Sequence, residues 1–150
     1  MNAPASATKP GCPDGFEAPA LPGIEIPAER LLRVMGYRQG APVRAQVRDM
    51  AEAMAALAMS AARPAVCCRR VPISGCTEQG LHLSTGTRFR GPTFASGLAG
   101  CGEVAIFILS LGSRFDGTQK NLAAAGKTLE AYMMEVAGWL GIESATGHFR

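Results

Sequence analysis

The sequence predicts one compact domain of mixed α and β segments, an α+β fold. Three observations carry this. The 150 residues are 47% hydrophobic and only 18% charged, enough apolar matter for a single core. Residues 42–63 repeat apolar side chains at helical spacing. Val104 to Leu109 is an unbroken apolar run of strand length.

The elements follow in order. Residues 1–25 are proline-rich and read as an irregular arm, and residues 26–150 as the domain proper. Leu21, Ile24 and Ile26 are suited to anchor the arm across the core. A first helix begins near Pro27, where a fixed φ suits the first turn, and ends at Gly36. The clearest helix is PVRAQVRDMAEAMAALAMSAAR. Val43, Val47, Met50, Met54, Leu57 and Ala61 step by four and three residues onto one face, and Pro64 stops it.

Strand candidates come next. AVCCRRVPI is rich in β-formers, with Pro72 marking an edge or an end. Gly75 to Gly80 reads as a turn. In GLHLSTG, Leu81 and Leu83 alternate with His82, which should face away from them. PTFASGLAG is a short helix or a turn. EVAIFILS reads as the central strand, covered on both faces. Leu111-Gly112-Ser113 then turns into a helix, a junction that could cradle an anion or simply be tight. KTLEAYMMEVAGWLGIESATG is the last helix, with Leu129, Met133, Val136 and Leu140 as its apolar stripe. Gly138 and Gly141 weaken it and permit close approach by another group. Glu135 and Glu143 stand eight residues apart on it.

Composition excludes several function classes. A net charge of +3 makes no case for nucleic-acid binding. No apolar stretch approaches the length of a membrane span, and the first residues lack the apolar core of a signal peptide. A cytoplasmic location is expected. Five cysteines without a C-x-x-C are read as small buried free thiols, and His82 and His148 offer no zinc spacing. A cysteine enzyme built on Cys67, Cys68 or Cys101 lacks a paired histidine; only Arg69 and Arg70 favour it.

Four segments, in this order, resemble the reactivation domain of cobalamin-dependent methionine synthase and short free-standing proteins related to it. They are the MGYRQGAP helix exit with Tyr37 and Arg38, the strand ARPAVCCRRVPI, the run LSTGTRFRGPTFASGLAGCGEVAIFILSLGSRFD, and the helix AYMMEVAGWLGIESA. The coverage runs from Ile26 to Ala145. The resemblance implies a curved, mainly antiparallel sheet packed with helices, binding of S-adenosylmethionine, and docking over a corrinoid protein so that cobalamin is remethylated. It puts Glu143 in the place of the family's helix glutamate, contacting the cofactor's amino or ribose groups. It puts Glu135 in the place of an aspartate.

The family's main S-adenosylmethionine motif, R-x-x-P-G-Y, has no counterpart in this sequence. The resemblance therefore leads us to expect a truncated module. It would be a methyltransferase-system subunit that works with a corrinoid protein, or with a second subunit that supplies the missing half. The competing expectation is an interaction subunit, homo- or hetero-oligomeric, without a cofactor pocket of its own.

Overall fold

The computed structural model describes residues 15–21, 23–40 and 42–148. The elements are α1 (Ala28–Val34), α2 (Ala45–Ala61), β1 (Ala65–Thr77), β2 (Gly80–Leu83), β3 (Arg88–Arg90), α3 (Thr93–Gly97), β4 (Glu103–Ser110), α4 (Ser113–Ala124) and α5 (Thr128–Gly147). The fold class is α+β. The chain forms two compact units. One is helical and takes Ala20–Val66 and Leu109–Arg150; the other takes Cys67–Ile108 with the end of the N-terminal arm.

The helical unit packs α1, α2, α4 and α5 around one core. Ile26, Leu31, Met133, Met134 and Leu140 are its largest fully buried side chains, so Ile26 does anchor the arm. Residues of α2 divide differently from the expected face. Ala51, Ala55 and Ala58 are buried, while Val47, Met50 and Met54 are only partly so. The stripe has turned toward the alanines because a small side chain lets a neighbouring helix approach closely, while the longer Met and Val flank the contact. In α5, Gly138 lies against the Phe115 ring of α4, and Gly141 against Leu111, Ile24 and Ile26. The glycines of this helix thus serve close packing, as their positions suggested. Leu129, expected in the stripe, is 42% exposed.

The second unit is built on a curled antiparallel sheet with strand order β3-β2-β1-β4. β1 and β2 pair as Ile73↔Leu83, Cys76↔Leu81 and Thr77↔Gly80, with a bulge between Ile73 and Gly75. β2 pairs β3 as Gly80↔Arg90, Leu81↔Phe89 and His82↔Arg88. Gly80 has φ +153°, and a Cβ there would run into the Phe89 carbonyl, so only glycine fits this crossing point. Val71, Leu81 and Leu83 are buried; Phe94 and Leu98 of the α3 region, with Val104 and Ile106, pack on them. His82 is half-buried between the two buried leucines, on the other face of β2 as expected.

Three local readings change. β1 continues through Pro72 to Thr77. The proline is tolerated because the β2 register begins one residue later, at Ile73, and the Pro72 carbonyl still accepts from Ser84 N–H at 3.0 Å. Gly75 belongs to the bulge, so the turn shrinks to Glu78 and Gln79. Among the described residues β4 stands at the end of the strand order, not at its centre, and Ile108 is 66% exposed. At the Leu111–Ser113 junction Gly112 has φ +90°, and its missing Cβ leaves room for the Arg63 backbone. The tight turn accounts for that glycine.

Candidate functional site

The outward face of α5 gathers the residues with most chemical capacity. Its inner face is committed to the core through Met133, Met134, Val136, Ala137, Leu140 and Ala145. Spacings of three, four and four residues then bring Tyr132, Glu135, Trp139 and Glu143 into one outward stripe. Tyr132 is 48% exposed and Trp139 is 56% exposed. Large rings left in water are costly relative to burial, and two of them two turns apart on one helix face, with Glu135 between, are a candidate surface for another molecule.

Both glutamates singled out in the sequence lie on this stripe, and both are exposed. They are about 12 Å apart along the axis, at 1.5 Å per residue. They therefore do not act as a close carboxylate pair. Glu143 Oε1 accepts a hydrogen bond from Arg30 Nη2 of α1 at 2.8 Å. One residue on, Ser144 Oγ accepts the Glu25 backbone N–H at 3.1 Å. These two contacts tie the C-terminal half of α5 to the segment that leads into α1. Glu135 has no ion-pair or hydrogen-bond partner among the described residues.

The stripe offers one carboxylate without an ion-pair partner among the described residues, Glu135, a second, Glu143, that Arg30 already balances, and two aromatic faces. That set attracts a cation with a flat body, through carboxylate pairing, cation–π contact and stacking. It provides no buried acid, base or nucleophile. The sequence reading found the carboxylates and missed Tyr132 and Trp139. Their spacing relative to Glu135 and Glu143 was a usable signal. It is a weaker signal than the apolar stripe on the opposite side of the helix, which periodicity picks out first.

In the sheet unit an apolar groove of about 450 Å3 opens between β3, α3 and β4. Leu81, Phe94, Leu98, Val104 and Ile106 line it, with Phe89 and Phe107 partly exposed. The Phe89 and Phe94 rings stand 6.4 Å apart, tilted by 50°. No charged side chain lines this groove. The sequence carries no sign of it, because the three residues of β3 have no recognisable strand pattern.

The cysteines depart from the expectation of five buried free thiols. Cys67 is disulfide-bonded. Cys68 and Cys76 are free and half-buried, Cys101 is free and exposed, and Cys12 lies outside the described residues. Adjacency at 67 and 68 reads as two small core residues, and disulfide partners cannot be read from spacing alone. Cys76 pairs with Leu81 and packs on the sheet core, whereas His82 pairs across Gly75 and points to the other face. No thiol–imidazole pair forms there.

Among the described residues no group of three His, Cys, Asp or Glu side chains could hold a metal ion. None of the described helices is long and apolar enough to cross a membrane. No protein-family model matches this chain, and no curated protein matches it.

Proposed function

We propose that this chain is a corrinoid-associated module. It presents the outer face of α5 to S-adenosylmethionine and to the protein that carries cobalamin, as part of a methyltransferase system. The observation that carries this reading is the stripe Tyr132–Glu135–Trp139–Glu143. The helix that resembles a cofactor-contacting helix is the one that turns its rings and carboxylates outward.

The donor set fits the ligand. A sulfonium and an ammonium group are drawn to Glu135, Glu143 and the ring faces, and an adenine can stack on Trp139. When bound, the ligand supplies the methyl group and the partner's cobalt receives it; this chain supplies orientation and electrostatics. Arg30 holds the Glu143 carboxylate in place for that contact. The face is open to solvent, so binding to the chain alone is weak and tightens when a partner covers it. A cytoplasmic location goes with this reading, and the disulfide at Cys67 weighs against it.

Trp139 is the only tryptophan, so its fluorescence reports directly on the face. Titration with S-adenosylmethionine should perturb it, more strongly once a corrinoid protein is added. Glu143→Gln should weaken the response at least about fivefold while costing under about 1 kcal/mol of stability, since the Arg30 pair is half-exposed. A tryptophan signal unmoved by the ligand, with and without the corrinoid protein, overturns the proposal.

One observation favours a second reading. Among the described residues the apolar β4 ends the strand order and leaves Ile108 66% exposed, an apolar surface of the kind an interaction subunit without a cofactor pocket presents to a partner. Capture of a cobalamin-free partner through the sheet unit, with α5 silent, would support that reading instead.

A further inference from the structure

A second concave site lies within the helical unit, away from the α5 stripe, and the proposed function makes no use of it. The connection from α1 to α2 encloses a cleft of about 560 Å3, within the range of small-molecule sites. Its inner wall is apolar: Leu32 is buried, and Tyr37 and Val43 pack partly against the core. Its remaining lining carries three guanidinium groups, those of Arg33, Arg38 and Arg48, against the carboxylates of Glu29 and Glu52. The balance is one positive charge.

None of these five charged side chains makes an ion pair or hydrogen bond among the described residues. That is unexpected from their spacing. Glu29 and Arg33 are four apart on α1, and Arg48 and Glu52 are four apart on α2, the separation at which helical charges meet. Arg30, one helical position from Glu29, does find its carboxylate. All three guanidinium groups are exposed, so their forks are free to turn toward one cavity, beside a tyrosine ring. Such forks match a phosphate or carboxylate in two-point fashion.

We infer that the α1–α2 cleft binds a small ligand that joins a phosphate or carboxylate head to a flat apolar body. The head lies among Arg33, Arg38 and Arg48, and the body against Tyr37 and Val43. This inference stands independently of the α5 reading.

Titration of the 15N-labelled full chain, followed by amide shifts, tests it with four probes. Adenosine 5′-monophosphate carries a phosphate and a ring, and 3-phenylpropionate a carboxylate and a ring. Adenosine lacks the head, and inorganic phosphate lacks the body. At least one of the first two should saturate in the sub-millimolar to millimolar range, roughly tenfold tighter than adenosine and phosphate, with the saturating shifts centred on residues 28–52 and any adenine contact at Trp139 shared equally by adenosine. Which of the two binds better decides between phosphate and carboxylate. Arg38→Gln should weaken binding about tenfold, and Arg48→Gln likewise, with circular dichroism unchanged; high salt should weaken it too. Glu143→Gln should leave it intact, which separates this site from α5. If no probe saturates, or if affinity is unchanged in both arginine variants, the inference is wrong.

Discussion

Gly138 and Gly141 show how one helix can require glycine at one position and merely accept it at another. In an open helix, Gly→Ala stabilises by about 1 kcal/mol. A Cβ at Gly138 would stand 2.9 Å from Phe115 Cε1 and 3.1 Å from Cζ. Phe115 is buried, and a ring cannot yield by a single bond rotation. Overpacking of this kind costs roughly 1–3 kcal/mol, so the cost wins. A Cβ at Gly141 would meet only the terminal methyls of Leu111, Ile24 and Ile26, at 3.2 to 3.5 Å. Those ends can turn aside, and gain and cost nearly cancel. Gly138→Ala should therefore lower the unfolding free energy by about 1 kcal/mol, and Gly141→Ala should change it by less than about 0.5. Urea unfolding of both variants decides; Gly141→Ala proving the more damaging would refute the packing argument. The sequence marked both positions as places of close approach, but not which neighbour approached. Phe115 is more than twenty residues away, and its ring reaches Gly138 only through the α4–α5 packing. The same limit applies to the functional face. Glu135 and Glu143 are visible as residue types, whereas the exposure of Tyr132 and Trp139 depends on which side of α5 the core occupies.

At the scale of elements, the long helices and the position of β4 were legible, but the environment of β4 was not. The apolar run of Val104 to Leu109 identifies a strand through its composition. Whether both faces and both edges are covered depends on topology, and here the β1–β2–β3 meander occupies the other side of β1. Among the described residues β4 ends the strand order, with no charge between Val104 and Leu109 and with Ile108 mostly in water. Apolar side chains left in water on one strand favour association with another chain. The wild-type chain should therefore show concentration-dependent association in sedimentation velocity. Ile108→Lys should reduce it and change stability by no more than about 0.5 kcal/mol, because the residue is exposed. An identical mass distribution for the two proteins would mean that β4 does not mediate association.

At the scale of the molecule, length and composition suggested one domain with one core, and they carry no signal for the division into two units. The boundaries fall inside continuous elements. β1 crosses one between Val66 and Cys67, and β4 crosses another between Ile108 and Leu109. Neither crossing has the glycine- or proline-rich linker that a sequence scan looks for. The two units differ in how much each buries. The helical unit holds a broad cluster that includes Ile26, Leu31, Met133, Met134 and Leu140. The sheet unit rests on Val71, Leu81 and Leu83, and all three residues of β3 are exposed. Local opening is easiest where few apolar contacts must break. Amides of α2 and α5 should then exchange with solvent at the slowest rates in the chain. Amides of β2 and β3 should exchange at least about tenfold faster, through an opening that leaves the helices protected. Hydrogen exchange read by mass spectrometry separates these segments directly. If β2 holds its deuterium-free amides as long as α5 does, the small sheet core is no easier to open than the helical one, and the count of buried apolar side chains does not set the order of opening.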